Sequence, residues 1–190
     1  MKKTLVLSLG LFFVLGVNAQ KRDAENLIKL DLSLLNKLRV SYELCQNDKF
    51  TFGAAGNLYY GDIPGIKLEP FARYYPGVEA PEGLYFQGRF LYGVFAKKWN
   101  YYENGTVGVG LVVQKNTVYS PGAGIDVGYQ WVSGSQKNIV VDASLGFQFM
   151  KDINHSIIVN GISYKTANIG FVTAGPGAIF NPHISVGYKF

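Results

Sequence analysis

Eleven charged residues stand at alternating positions in segments that are otherwise apolar or small, and their signs nearly balance. Such a spacing places charged groups on one side of extended segments and apolar groups on the other. It allows ion pairing in a confined space, because an isolated buried charge is very costly and a paired, hydrogen-bonded set is tolerable. The six cations and five anions are Lys29, Arg39, Lys67, Arg73, Arg89 and Lys189, and Asp31, Glu43, Glu69, Asp126 and Asp142.

The residues that catalysis or metal binding would need are sparse. The chain has two histidines, His155 and His183. His155 stands near Asp152 and Ser156 in the sequence, a grouping that is ordinary turn chemistry. Two histidines without clustered thiols or carboxylates do not indicate a zinc site, and a lone Cys45 cannot form a disulfide within the chain. We therefore predict no enzyme, no metal site and no cofactor.

Strict alternation of apolar and polar residues recurs along the chain and indicates β-strands. It holds in eight segments, 26–35, 38–44, 50–60, 66–75, 84–92, 125–131, 139–149 and 183–190. The apolar side of every segment lacks charge, and the opposite side mixes isolated charges with Gly, Ala and Ser. Aromatic residues gather near the segment ends, as in the interfacial girdles of membrane barrels. We predict an all-β fold, an eight-stranded antiparallel up-and-down transmembrane β-barrel. The alternative is a soluble periplasmic β domain with its apolar side inward.

In such a barrel the eleven charged residues would lie in the interior, which for eight strands is just wide enough for side chains. We expect them to form a polar plug that sets the strand register. Glu69 and Arg73 stand four residues apart on one strand face, too far for direct contact along the strand, and are expected to bridge to neighbouring strands. The alternative is a proton or small-ion pathway, which the charge balance and the narrow bore disfavour.

Connections of two lengths are expected at the two ends of the barrel. Segments 45–49, 76–83 and 132–138 are short and rich in turn formers, and are predicted periplasmic turns. The extracellular end is expected to receive 35–37, 61–65 and two long loops, 96–123 and 150–178. Within these loops, 106–113 and 157–164 keep some β character, which predicts that strands extend beyond the bilayer. The aromatic and basic loop residues are Lys97, Lys98, Trp99, Tyr101, Tyr102, Lys115, Tyr119, Lys151 and Lys165.

Both ends of the chain carry features of export. Residues 1–19 combine a basic start, an uncharged apolar run and small residues at an A-x-A-like site. They predict a cleaved signal peptide followed by one barrel domain, 20–190. The final segment places Tyr188 and Phe190 on its apolar side, and we expect this aromatic end to be an assembly signal for the barrel assembly machinery. The segment is expected to pair with 26–35 and so close the barrel.

Composition limits the partners. The chain carries 18 basic and 13 acidic residues, a net charge of +5, and the two lysines within residues 1–19 reduce this to +3 for residues 20–190. That excess is too small to predict binding to nucleic acid. We expect a monomer in the bacterial outer membrane, surrounded by outer-membrane lipids, with loops 96–123 and 150–178 facing an extracellular ligand or protein.

Short motifs carry a resemblance to known barrels. They are 25–30 (ENLIKL), 40–43 (VSYE), 68–75 (LEPFARYY), 80–85 (APEGLY) and 128–131 (GYQW). With them the chain resembles small outer-membrane β-barrels of the OmpA/OmpX type, and more narrowly a domain-of-unknown-function family of eight-stranded barrels. The resemblance implies fold and location and assigns no substrate. We expect an integral outer-membrane barrel of structural or interaction type, the alternative being a barrel for small-solute transport or lipid modification.

Overall fold

The structure, a computed structural model, describes residues 25–31, 37–60, 63–77, 79–105, 108–133, 136, 138–151, 155–159, 162–166 and 175–190. The predicted signal peptide and residues 32–35 of the first predicted segment lie outside this part of the chain. The strands are β1 (Asn26–Asp31), β2 (Lys37–Cys45), β3 (Phe50–Tyr59), β4 (Gly65–Tyr74), β5 (Gly83–Gly105), β6 (Gly108–Ser133), β7 (Ile139–Met150), β8 (His155–Val159), β9 (Ile162–Thr166) and β10 (His183–Lys189). Among the described residues, no helix has the length and apolar character needed to span a membrane.

Eight of the strands close into an antiparallel barrel in the order β1-β10-β7-β6-β5-β4-β3-β2. The seam lies between β1 and β10, where Leu27 is opposite Lys189 and Asp31 is opposite Ser185. The other two strands, β8 and β9, pair with each other in a separate hairpin. The predicted all-β, eight-stranded, up-and-down architecture is confirmed, and so is the closure of the last strand on the first.

Alternation decides which side chains enter the barrel, because successive residues of a strand face opposite sides of the sheet. In β2, Leu38 and Val40 are exposed while Arg39 and Ser41 are buried. The other barrel strands also expose apolar side chains and bury polar ones. Exposed fractions of 41% to 56% are found for Phe52, Leu68, Phe86, Val127, Leu145 and Val186. The apolar side therefore lies outside, opposite to what the soluble alternative requires.

The two ends of the barrel differ in their connections. The turn end carries the links β2–β3, β4–β5 and β6–β7, at the positions predicted for short turns. Asn26 and Phe190 meet there through two backbone hydrogen bonds of 2.9 Å. The β4–β5 link finishes at Gly83, whose φ of 105° lies in the region that favours glycine. The opposite end, the loop end, carries the remaining connections.

Two predictions at the loop end are corrected by the structure. Segment 96–123 is not a loop, because β5 and β6 stay paired from Gly83 opposite Gln130 to Gly105 opposite Gly108. A hairpin can extend in this way because its two strands satisfy each other's backbone groups without further neighbours. Lys37, which belongs to the predicted extracellular connection 35–37, instead begins β2 and is buried. The β character predicted for 106–113 and 157–164 agrees with the start of β6 at Gly108 and with the paired strands β8 and β9, while residues 106–107 and 160–161 lie outside the described residues.

Candidate functional site in the barrel interior

The barrel interior holds ten of the eleven charged residues singled out from the sequence, each at most 5% exposed. They form two groups. The turn-end cluster consists of Lys29, Glu43, Arg73 and Asp142, and the loop-end cluster of Asp31, Arg39, Lys67, Glu69, Arg89 and Asp126. The eleventh, Lys189, lies at the turn-end mouth, partly exposed, with its ammonium group 2.9 Å from a Glu25 carboxylate oxygen.

Two cations and two carboxylates alternate in the turn-end cluster. Lys29 Nζ lies 2.6 Å from Glu43 Oε2 and 2.8 Å from Asp142 Oδ2. Arg73 Nη1 lies 3.1 Å and 2.8 Å from the same two oxygens. The side-chain oxygen of Gln130 accepts a 2.8 Å hydrogen bond from each cation. The four formal charges cancel within the cluster, which is the condition under which buried charges are tolerable.

Hydroxyl groups satisfy the other oxygens of these carboxylates. The Tyr85 hydroxyl donates to Asp142 Oδ1 at 2.6 Å. Thr51 and Tyr75 donate to Glu43 Oε1 at 2.6 Å and 3.2 Å. Both carboxylates of the turn-end cluster thus have hydroxyl donors on the oxygen that does not face the cations.

Glu69 is the centre of the loop-end cluster. Its Oε2 lies 3.2 Å from Arg39 Nη2 and 3.1 Å from Arg89 Nη1, and its Oε1 lies 2.8 Å from Lys67 Nζ. Arg89 Nη2 also reaches Asp126 Oδ1 at 2.9 Å. Arg39 lies in β2, Lys67 in β4 and Arg89 in β5, so one fully buried carboxylate crosslinks three strands.

Asp31 extends the loop-end cluster to the seam between β1 and β10. Its Oδ2 lies 2.7 Å from His183 Nδ1 and 3.6 Å from Arg39 Nη1. Asp31 belongs to β1 and His183 to β10, so this contact spans the closure between the first and the last strand. Polar contacts in the interior therefore reinforce the seam that backbone pairing forms.

Gln87 joins the two clusters. Its side-chain oxygen accepts from Arg73 Nε at 2.6 Å, and its nitrogen donates to Asp126 Oδ2 at 2.8 Å. Gly146 leaves the space that the Asp126 carboxylate occupies, because a Cβ at that position would overlap it. The interior of the barrel therefore holds one continuous polar network along its axis.

Residues 175–181 cover the loop end of this network. Pro176 is buried, and its carbonyl accepts hydrogen bonds from Gln148 Nε2 at 3.0 Å and from Lys67 Nζ at 3.4 Å. The backbone of Gln148 also donates to the carbonyl of Ile179 at 2.9 Å. The last residues of the predicted loop 150–178 thus pack into the interior, which the loop prediction did not anticipate.

Sequence reasoning did not single out the neutral members of the network. Gln87, Gln130, Gln148 and Tyr85 stand at the same alternating positions as the charged residues, and this phase is the signal that could have found them. Glu69 and Arg73 each reach the neighbouring strand β5, at Arg89 and Gln87, and both also reach across the interior to strands that are not neighbours of β4. Glu69 also contacts Lys67, two residues away on its own strand, which was not expected.

The histidines do not form a catalytic or metal-binding group among the described residues. His183 is buried in the interior, and His155 begins β8 in the separate hairpin. Within the described part of the chain, no three His, Cys, Asp or Glu residues are arranged to hold a metal ion. The neighbour Asp152 lies outside the described residues.

A closed barrel of eight antiparallel strands, apolar outside and filled with paired charges, defines a small β-barrel with the architecture that the OmpA/OmpX resemblance implied. The chain is similar to the N-terminal β-barrel domain of Pseudomonas aeruginosa OprF, with 17% identity, 88% of this chain and 96% of that chain covered, and a TM-score of 0.42. It is also similar to Neisserial surface protein A (NspA), with 14% identity, coverage of 87% and 92%, and a TM-score of 0.39. No family model matches the chain, and no curated protein matches it. The fold assignment rests on the strand pairing, and the narrower family resemblance stays a prediction.

Proposed function

We propose that this protein is an integral β-barrel of the bacterial outer membrane with a structural or interaction role. The inversion of burial carries the proposal, since charged side chains are buried inside and large apolar side chains are exposed outside. In water, so large a contiguous apolar surface would be unfavourable. In the hydrocarbon of a membrane, an apolar exterior is required. A closed barrel also leaves no strand edge with unpaired backbone groups there. Outer-membrane lipids are therefore the surroundings that fit this exterior.

The height of the apolar exterior supports the proposal. The outward positions of β5 run from Leu84 to Val94, which is roughly 33 Å along a strand. A strand tilt of about 40° reduces this to about 25 Å, the height of the apolar band of a membrane barrel. Exposed aromatic residues stand at both margins, Tyr74, Trp131 and Tyr188 at the turn end and Tyr60, Tyr92 and Tyr119 at the loop end. They match the interfacial girdles of such barrels.

Expressed in a Gram-negative host, the protein is expected in the outer-membrane fraction. On a denaturing gel, the unheated protein should migrate at a different apparent mass from the boiled protein, because a closed barrel stays folded in detergent until it is heated. A chain truncated before His183 lacks β10 and is the matched control, which should show no such shift. Recovery of the full chain as a soluble periplasmic monomer would contradict the proposal.

The filled interior supports a static role over transport. Reconstituted in planar bilayers, the protein is expected to show no sustained conductance, because the polar network and residues 175–181 occupy the interior. A sixteen-stranded porin in the same bilayers is the positive control, since its interior is an aqueous channel. Sustained conductance of the wild-type barrel would favour the transport alternative.

A lipid-modifying role has less support than an interaction role. Such chemistry needs a base beside a nucleophile near the outer rim. His183 instead lies inside the barrel against Asp31. We propose that two parts of the chain provide the surface on which this protein acts: the part of the β5–β6 hairpin that lies beyond Phe95 and Gly122, and the hairpin β8–β9.

A further inference from the structure

Lys37 brings a cation into the barrel interior that the loop-end cluster does not balance. The cluster has three cations and three carboxylates, so its formal charges cancel without Lys37. Lys37 begins β2, is 8% exposed, and forms no ion pair with a described residue. Its ammonium group instead contacts two neutral side chains, the Asn181 amide at 3.3 Å and His183 Nδ1 at 3.5 Å. Counted over the described residues, the loop end of the interior therefore carries one excess positive charge.

The contact between Lys37 and His183 is not a hydrogen bond. His183 Nδ1 lies 2.7 Å from Asp31 Oδ2, and two such acceptor atoms at this distance need a proton between them. Nδ1 then has no lone pair left for an ammonium group, whichever of the two atoms holds the proton. Asp31 attracts Lys37 at longer range, but its Oδ2 is engaged with His183 and Arg39.

The Asn181 amide does not offer Lys37 an acceptor either. The oxygen and the nitrogen of an amide are told apart by their hydrogen-bond partners. With its oxygen toward Arg89, the amide accepts from Nη1 at 2.8 Å and from Nη2 at 2.9 Å, and its nitrogen lies 3.2 Å from His183 Nε2. The opposite orientation donates to Gln148 at 3.2 Å but sets the amide nitrogen against the guanidinium group. Bonds to a charged group are the stronger ones, so the amide nitrogen is the atom that faces Lys37.

Two donors, Lys37 Nζ and Asn181 Nδ2, therefore face each other without an acceptor among the described residues. A buried ammonium group is tolerable with a counter-charge, and a water molecule supplies an acceptor but no charge. The interior of an eight-stranded barrel is just wide enough for side chains, which favours a monatomic anion over a larger one. We propose that Lys37 Nζ and Asn181 Nδ2 bind a chloride ion.

The ion links the barrel wall to the segment that covers the loop end. Lys37 belongs to β2, whereas Asn181 ends segment 175–181, and its backbone donates to the carbonyl of Gly146 in β7 at 3.0 Å. Chloride between the two side chains stabilises this closure of the interior. The site goes beyond the proposed structural role, since it requires the closed barrel and not the lipid around it.

The test measures unfolding of the full chain in detergent micelles while chloride replaces gluconate, an anion too large for the site, at constant ionic strength. An anion that binds only the folded barrel lowers the unfolding constant by the factor 1 + [Cl⁻]/Kd. For a Kd of about 10 mM, chloride at about 100 mM lowers the constant about tenfold. Bromide should stabilise the barrel similarly, and its anomalous scattering in crystals should place it beside Lys37.

Three variants separate the site from other effects of salt. K37M removes the charge, so it should abolish the chloride dependence and be at least as stable as the wild type in gluconate. N181D sets a carboxylate beside Lys37 and should also abolish the dependence, because it replaces the charge of the ion. K189M is the matched control, since Lys189 pairs with Glu25 at the turn-end mouth, and it should keep the dependence of the wild type.

Equal stability of the wild type in chloride and gluconate would overturn the site, and so would equal chloride dependence in the wild type and K37M. Loss of stability in K37M to the same extent in both salts would also overturn it. Stabilisation by phosphate without stabilisation by chloride or bromide would overturn the monatomic ligand. The gel shift on heating, measured in parallel, separates these failures from failure of the proposed function, which its absence in the wild type would indicate.

Discussion

Replacing Glu69 with alanine is expected to lower the free energy of unfolding by about 3–5 kcal/mol, the usual cost of breaking a buried ion pair from one side. Its carboxylate lies within 3.2 Å of cationic groups of Arg39, Lys67 and Arg89, and it is fully buried. Without it, the partners of Lys67 that remain among the described residues are neutral, namely the Gln148 side chain, the Pro176 carbonyl and the Tyr59 ring. Equilibrium unfolding in urea, with the protein in lipid vesicles and tryptophan fluorescence as the signal, measures the loss.

Glu25→Ala is the matched control for this substitution. Glu25 also pairs with a lysine, Lys189, at 2.9 Å, but at the partly exposed turn-end mouth, where a salt bridge is worth about 1 kcal/mol or less. The double variant Glu69→Ala/Lys67→Met should recover part of the loss, because it removes one of the stranded cations. If Glu69→Ala and Glu25→Ala cost the same, the buried network does not stabilise the barrel as the geometry indicates.

Replacing the neighbouring residue, Leu68, with arginine is expected to cost about 2–4 kcal/mol if the site lies near the bilayer midplane, and less toward the margins. Leu68 is 56% exposed on the outer surface of β4, between Ile66 and Pro70. In the proposed membrane that exposure is to hydrocarbon, where a guanidinium group loses its hydration. The same urea titration in vesicles measures the effect.

Leu68→Ala is the control for size, and it is expected to cost less than the arginine. Alanine at this position shortens a contact with lipid and opens no cavity in a packed protein core, which is the main cost of such truncations. A silent Leu68→Arg would contradict the lipid-facing assignment of this side of β4. Leu68 and Glu69 thus test the two faces of one strand at adjacent residues.

Alternation in the sequence was sufficient to predict the strands and their faces. Segment 38–44 shows why: Leu38, Val40, Tyr42 and Leu44 share one phase, and all are exposed on the outside. Because the side-chain period of a strand is two, an error of one residue in the predicted phase would exchange the inner and outer positions of a whole strand. No such exchange occurs among the barrel-strand residues whose burial the structure describes. Pairing of the last segment with the first was also predictable, since a closed barrel must satisfy both edges.

The loop end was predicted less well than the wall. In 96–123 the alternation is interrupted by glycines and by residues of mixed polarity, so the segment resembles a loop, although β5 and β6 pair as far as Gly105 opposite Gly108. Lys37 stands one residue before the alternating segment 38–44, so the alternation did not include it in the strand. The inward return of residues 175–181 had no sequence signal, because contacts such as the hydrogen bond from Gln148 to the Pro176 carbonyl are non-local and use the backbone.

The sequence by itself determined the fold class, the number of barrel strands and which residues face inward, because these follow from local period and from the need to close the sheet. The tertiary structure alone decided which charges meet. By alternation alone, Glu69 could have met any inward cation of the barrel. Register and strand order bring Arg39 and Arg89 to it, and they bring Asp31 to His183 across the seam. The physical reason is that a period of two specifies a face, whereas partners across a barrel depend on the stagger of every strand between them.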